Sequence, residues 1–259
     1  MFEEPGQDLA WPAEARGRCP AAGSASARSV AALVPIVAAL IVSLLLCAQE
    51  APAQGTGSLR VHVVLLAGNS VEKPGVDAVV WLPGVFQQEQ PGRLAAEIAQ
   101  REKRFEPHVE MVKVGTTVAF PNYDRIYHNI FSLSEAARFD LGLYRNGTTR
   151  AFRFARPGIV RIYCNIHPTM SAVLVVVDSD FFAQTTASGD AELKDVPAGT
   201  WLLKTWHEQG GENERRIVIQ PGVLTDTRVE LDVSRWTPQP HKNKFGKDYP
   251  PPDDDETRY

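Results

Sequence analysis

Cysteine is scarce in this chain of 259 residues, where only Cys19, Cys47 and Cys164 occur. Cys19 and Cys47 lie within the N-terminal 47 residues, so the rest of the chain carries a single thiol. A single thiol excludes an internal disulfide framework. Basic residues do not predominate either: 27 Lys and Arg stand against 31 Asp and Glu, and this net charge of −4 argues against a nucleic-acid partner.

The N-terminal region contains an apolar stretch without charge, SVAALVPIVAALIVSLLLC, at residues 29–47. Three arginines precede it and Ala-Pro-Ala follows at 51–53, so residues 1–53 are predicted to be a secretory signal peptide. The stretch is also long enough to span a bilayer, which leaves an N-terminal membrane anchor as the alternative. In both cases we expect a periplasmic location. In that oxidising compartment the unpaired Cys164 is either a thiol exposed to unwanted oxidation or a ligand.

The remaining apolar runs are short and bounded by turn residues, with 19 Gly and 19 Pro in the chain. Residues 59–66 and 76–82 have strand character, and so have the runs on either side of residues 164–170. The stretch at 87–104 is weaker and fits a short helix or a strand with a loop. These patterns predict an all-β fold.

The sequence CNIHPTM places a thiolate, an imidazole and a thioether at three-residue intervals, in Cys164, His167 and Met170. A tight loop after a strand can direct all three toward one centre. A blue-copper site uses two imidazoles and one thiolate in a plane, with a weak axial Met. His128, in PNYDRIYHNI after a strand and a turn, is the best candidate for the second imidazole. The pattern predicts one copper ion at these four residues.

The segments GTTVAFPNYDRIYHNIF and PGIVRIYCNIHPTM resemble the cupredoxins, the type 1 blue-copper proteins, of the amicyanin and plastocyanin kind. The resemblance covers residues 92–179 and implies a Greek-key β-sandwich that transfers single electrons. It implies that His128, Cys164 and His167 are the equatorial ligands and Met170 the axial one.

The same resemblance implies roles for the neighbours of the ligands. Asn129 is expected to fix the Cys164 loop by hydrogen bonds. Electrons are expected to pass through the edge of His167, with Pro168 and Thr169 in the docking patch around it. The expected partners are transient redox proteins of the cytochrome or dehydrogenase type, and the membrane only if the N-terminal segment is retained.

A second module surrounds this region in the sequence. The segment TTASGDAELKDVPAGTWLLKTWHE resembles transthyretin-like or carboxypeptidase-regulatory β-sandwiches, whose usual opening strands match residues 59–82. We therefore predict that residues 57–86 and 181–233 form one small β-sandwich, into which the copper domain is inserted. The rival arrangement is sequential, with 59–82 completing the copper domain. Exported proteins that pair the two modules are often called methylamine-utilisation-like.

Residues 234–259 are rich in Pro and acidic side chains, with PPPDDDE near the end. They offer few apolar residues for packing, so a disordered tail is expected.

Other interpretations of the metal motif remain open from the sequence. Cys164 could be a buried structural thiol, and a zinc site would use the same ligand types, although structural zinc usually takes several cysteines. The chain could also be a copper-binding module that recognises carbohydrate or protein without a redox role. No His-x-His pair occurs, so an enzyme with a second metal centre is not expected. The remaining histidines are expected to be structural or exposed: His62, His108, His207 and His241.

Overall fold

The computed structural model describes residues 55–68, 71–87, 95–238 and 240–249. The predicted signal or anchor at 1–53 lies outside this part of the chain. Every regular element in the described residues is a strand, which confirms the all-β prediction. The described residues contain no helix that is long and apolar enough to cross a bilayer.

Eighteen strands are described. The first nine are β1 (Thr56–Ala67), β2 (Val71–Pro74), β3 (Val79–Trp81), β4 (Ala95–Glu97), β5 (Ala99–Arg101), β6 (Arg104–Glu106), β7 (Val109–Lys113), β8 (Thr117–Pro121) and β9 (His128–Leu133). The others are β10 (Arg138–Tyr144), β11 (Thr149–Arg153), β12 (Gly158–Tyr163), β13 (Ser171–Val177), β14 (Phe182–Gln184), β15 (Asp190–Pro197), β16 (Gly199–His207), β17 (Gly211–Ile219) and β18 (Leu224–Asp232).

Two sheets form what we call the outer sandwich. One has the order β15-β1-β18, with β2 also paired to β1, and the other has the order β14-β3-β16-β17. The apolar residues of β1 recur at every second position and are buried, as the alternation of a half-buried strand requires: Leu59, Val61, Val63 and Leu65. They share one core cluster with residues of β3, β15, β16, β17 and β18.

Two further sheets form the inner sandwich, with the orders β10-β9-β12-β13-β7 and β11-β8-β4, and β5 pairs with β6 as a hairpin beside them. Its core is a separate cluster that includes Phe120, Ile130, Phe154 and Cys164. The chain therefore leaves the outer sandwich after β3, forms the inner sandwich from β4 to β13, and returns at β14. The weak stretch at 87–104 contributes β4 and β5, while residues 88–94 lie outside the described part.

A third apolar layer joins the two sandwiches. Strand β13 is buried on both faces: Ala172, Leu174 and Val176 face the inner core, whereas Val173, Val175 and Val177 belong to the joining layer. The same layer contains Val79 and Trp81 of β3 and Trp206 of β16. A strand buried on both faces explains the continuous apolar run SAVLVVV. Residues 164–170, which we call the metal loop after its predicted ligands, therefore lead into a strand that is packed on both sides.

Residues 240–249, within the stretch expected to be a disordered tail, have defined contacts. Residues 241–249 lie against the inner sandwich, where the His241 ring stacks on Tyr163 with centroids 4.0 Å apart. The Tyr249 hydroxyl donates to the carbonyl of Cys164 at 2.7 Å. Hydrogen bonds and ring stacking hold this segment, and apolar content alone does not predict them. Residues 239 and 250–259 lie outside the described part.

Replacement of Trp206 by Ala tests the joining layer. Trp206 is 3% exposed, and deletion of a buried Trp side chain costs about 3–5 kcal/mol of unfolding free energy. We expect a loss of this size in urea unfolding followed by circular dichroism. Trp236 is 40% exposed, so Trp236→Ala is the control and should change the value by less than about 0.5 kcal/mol. Equal effects of the two substitutions would contradict the layer's contribution to stability.

Candidate metal centre

The loop between β12 and β13 is closed by backbone hydrogen bonds. Tyr163 and Ser171, the residues on either side of the loop, are partners in the antiparallel ladder. Cys164 N–H donates to Met170 O at 3.2 Å, and Met170 N–H donates to His167 O at 3.1 Å. The first and last residues of CNIHPTM are therefore neighbours, although six positions separate them in the sequence.

His128 lies beside Cys164 although it belongs to another strand. It is the first residue of β9, which pairs with β12 through Phe131 and Tyr163. The neighbouring strand β9 therefore brings His128 beside the end of β12, where Cys164 begins the loop. His128 and Cys164 are both fully buried, and His167 is half-buried.

Three ligand atoms converge at this point. The Sγ atom of Cys164 lies 3.6 Å from Nδ1 of His167 and 3.9 Å from Nδ1 of His128. The two Nδ1 atoms are 3.1 Å apart. Among the described residues this is the one group of three His, Cys, Asp or Glu side chains placed to hold a metal ion.

These separations can be compared with those around a bound ion. Imidazole nitrogen and thiolate sulfur bind zinc at about 2.1 and 2.3 Å. If three such ligands surrounded an ion in a trigonal plane, the two nitrogens would lie about 3.6 Å apart, and each nitrogen would lie about 3.8 Å from the sulfur. The sulfur–nitrogen distances match within a few tenths of an ångström, and the nitrogen pair is about half an ångström closer. The residues therefore fit a first-row metal ion, and two imidazoles with one thiolate are a donor set that suits copper.

The fourth predicted ligand, Met170, is the last residue of the loop. It is fully buried in the same core cluster as Cys164 and immediately precedes β13. The two exposed residues of the loop are Pro168 and Thr169, which lie between His167 and Met170. The four predicted ligands and the predicted docking residues thus occupy one loop and the start of one adjoining strand.

Asp124 contacts one of the predicted ligands, and the sequence motifs did not identify it. Its Oδ2 atom lies 2.7 Å from Nε2 of His128, and its carboxylate also accepts the backbone N–H groups of Glu102 and Lys103 at 2.6 and 2.9 Å. Because a carboxylate only accepts, Nε2 of His128 carries the proton and Nδ1 keeps the lone pair that binds a metal. The signal in the sequence is an acid four residues before the histidine, within PNYDRIYH.

The electrostatics of this pair favour a neutral ligand. Burial lowers the pKa of His128, against the opposing effect of Asp124. Burial alone would raise the pKa of Asp124, but the hydrogen bonds from Lys103, His128 and Glu102 hold it below its ordinary value. At neutral pH, Asp124 is therefore ionised and His128 is an uncharged imidazole, the form that coordinates metals.

The Cys164 thiol is surrounded by donors from the backbone. Burial raises its pKa, while the backbone N–H groups of Asn129, Ile166 and His167 act in the opposite direction because they stabilise a thiolate. A metal ion would have to displace the thiol proton, and the three N–H groups would then face the sulfur charge.

The side chain and the main chain of Asn129 have different partners. Its Nδ2 group donates to Oδ1 of Asp140 at 2.7 Å, within the β9–β10 pair. Its backbone N–H is the group directed at Cys164. Asn129 therefore contacts the ligand sulfur through its main chain, and its side chain connects the site to Asp140.

The other histidines lie outside the ligand cluster. His62 contacts Asp190 at 2.7 Å, and His108 bridges the Ser171 carbonyl and Glu208 at 3.0 and 2.8 Å. His207 is buried at the end of β16, and its Nδ1 accepts the backbone N–H of Gln209.

Asp124→Asn tests the histidine–carboxylate pair. The substitution removes the charge that holds the Nε2 proton of His128, and loss of such a partner typically lowers metal affinity about 10–100-fold. We expect a decrease in this range for Cu(II) in competition with a chelator. Asp226 is an exposed aspartate in the outer sandwich, so Asp226→Asn should leave the affinity unchanged. Equal affinities for Asp124→Asn and the unsubstituted chain would show that the carboxylate does not support the site.

Comparison with known proteins gives matches among solved structures only. No protein-family model and no curated protein sequence matches this chain. A copper-containing nitrite reductase from Thermus scotoductus SA-01 is 26% identical over 32% of this chain and 22% of its own, with a TM-score of 0.31. A purple cupredoxin from Nitrosopumilus maritimus is 25% identical over 31% of this chain and 98% of its own, with a TM-score of 0.29.

The reduced form of an amicyanin mutant is 23% identical over 34% of this chain and 86% of its own, with a TM-score of 0.30. This chain therefore spans about a fifth of the length of the nitrite reductase and most of the length of the two smaller proteins. The structural neighbours are cupredoxins, and each covers about a third of this chain.

Proposed function

We propose that this protein is an exported blue-copper electron carrier, with one copper ion held by His128, Cys164, His167 and Met170. The observation that carries the proposal is the convergence of one thiol and two imidazole Nδ1 atoms within 3.9 Å of one another in a buried site. A lone buried thiol would not need two imidazole nitrogens beside it, whereas a metal ion would use all three.

Copper would supply a couple that gains and loses one electron, Cu(II) and Cu(I). The residues of the chain hold the ligand atoms in place before any metal binds. The Cys164 loop is closed by its own backbone, and His128 is held by Asp124. Because these contacts do not depend on the oxidation state, the ligands would move little during transfer, and a small rearrangement favours rapid exchange.

We propose His167 as the point where electrons enter and leave. It is half-buried between the ligand cluster and the exposed residues Pro168 and Thr169. A partner that docks over these residues would come close to the ligand ring itself. Such contacts are small and weak, which suits transient partners of the cytochrome or dehydrogenase type. The periplasm is the compartment we propose, from the apolar stretch at 29–47 that lies outside the described residues.

Cys164→Ser tests the function directly. We expect metal-free protein to develop an intense visible thiolate-to-copper absorption with one equivalent of Cu(II), because the thiolate is the ligand with the strongest electronic coupling. Cys164→Ser should lose this band and retain its far-ultraviolet circular dichroism. His62 lies outside the cluster, so His62→Gln is the control and should retain the band.

A colourless copper-loaded protein, or a band that persists in Cys164→Ser, would contradict the redox proposal. The first of these results would favour a module that binds copper, carbohydrate or protein without electron transfer.

A further inference from the structure

Residues 241–249, which we call the C-terminal segment, contact the residues that begin the metal loop. The Tyr249 hydroxyl donates to the carbonyl of Cys164 at 2.7 Å. Lys244 N–H donates to Oδ1 of Asn165 at 3.0 Å. The first residue of the loop and the one that follows it are therefore both bound by a segment from the far end of the chain.

The segment also covers the residue that precedes the loop. The His241 ring stacks on Tyr163 with an interplanar angle of 20°, and the Tyr249 ring meets His241 edge-on with centroids 5.2 Å apart. The Tyr249 oxygen lies 3.2 Å from Nδ1 of His241. Since the Tyr249 hydrogen is given to Cys164, His241 is the donor in this second contact. The three rings therefore hold the Tyr249 hydroxyl against the ligand-bearing backbone.

A second connection leads from the segment to His128. Lys244 Nζ lies 2.7 Å from Oδ2 of Asp140, and Oδ1 of Asp140 accepts the side-chain amide of Asn129 at 2.7 Å. Asn129 follows His128 in β9 and directs its backbone N–H at the Cys164 sulfur. One segment is thus connected to both chain elements that supply buried ligands.

The segment has an internal structure of its own. The Asn243 side chain accepts the backbone N–H groups of Phe245 and Lys247, and Asn243 and Lys247 are also joined by a main-chain hydrogen bond. Gly246 completes the turn at φ 74°, a conformation that favours glycine. This turn presents Lys244 to Asn165 and Asp140 in a fixed geometry.

We propose that the C-terminal segment is part of the copper centre and that Tyr249 is a positioning residue for Cys164. The copper chemistry in this inference rests on the proposed function. Its structural part rests only on the hydrogen bond between Tyr249 and Cys164. A ligand that must stay within about 0.5 Å of its working geometry depends on the neighbours that fix its backbone. Tyr249 and Lys244 are such neighbours, and both belong to the tail of the chain.

Tyr249→Phe removes the hydroxyl and keeps the ring stack. In metal-free full-length protein, we expect alkylation of Cys164 by iodoacetamide, followed by peptide mass spectrometry, to be about tenfold faster. The substitution removes the hydroxyl's hydrogen bonds to Cys164 and His241, and their loss favours local opening by roughly that factor. Lys244→Met should act in the same direction. The control is Arg60→Gln, which breaks an exposed ion pair with Asp226 in the outer sandwich and should leave the rate unchanged.

The copper-loaded protein gives a second readout. The hydrogen bond from Tyr249 withdraws electron density from the Cys164 backbone, so its loss should make the thiolate a stronger donor to Cu(II). We expect a lower reduction potential in Tyr249→Phe and an unchanged one in Arg60→Gln. Unchanged alkylation rates in both Tyr249→Phe and Lys244→Met, with circular dichroism showing a native fold, would overturn the inference. An unsubstituted chain without the copper band would contradict the proposed function, while the alkylation rates would still decide the role of Tyr249.

Discussion

The hydrogen bond between Asp124 and His128 determines which nitrogen of the imidazole faces the other proposed ligands. With its proton held at Nε2, His128 presents a lone pair at Nδ1 to Cys164 and His167. If the ring carried its proton at Nδ1, a donor would point into the ligand cluster and no metal could bind there. Asp124 is itself fixed by two backbone N–H groups of the turn between β5 and β6, so the chemistry of the site depends on a turn outside the metal loop.

The packing around the metal loop also holds the proposed ligands in position. Strand β13 begins directly after Met170 and is buried on one face in the inner core and on the other in the layer that joins the sandwiches. On the other side, Cys164 is held by Tyr249 of the C-terminal segment. His108 adds a third contact, since it binds the Ser171 carbonyl and Glu208 of the outer sandwich. Elements outside the inner sandwich therefore contribute to holding both ends of the ligand loop.

The sequence predicted the parts of this arrangement that depend on local spacing. Strand alternation predicted the all-β class, and the three-residue intervals of Cys164, His167 and Met170 predicted a shared loop. The partners of these residues are non-local. Tyr249 meets Cys164 across 85 positions and Lys244 meets Asn165 across 79, and nothing in the polar composition of the tail indicates these hydrogen bonds. Asp124 is only four residues from His128, but its role depends on a turn that also places Glu102 and Lys103 around it. The side-chain partner of Asn129 was missed because Asp140 lies on the neighbouring strand β10.

The most direct test of the copper centre is X-ray absorption at the copper K edge, on full-length protein loaded with one equivalent of copper. We expect a first shell that contains two imidazole nitrogens and one sulfur at the short distance of a thiolate, and this short sulfur contribution should be absent from Cys164→Ser. A shell made of nitrogen and oxygen alone in the unsubstituted protein would contradict a copper centre built on Cys164.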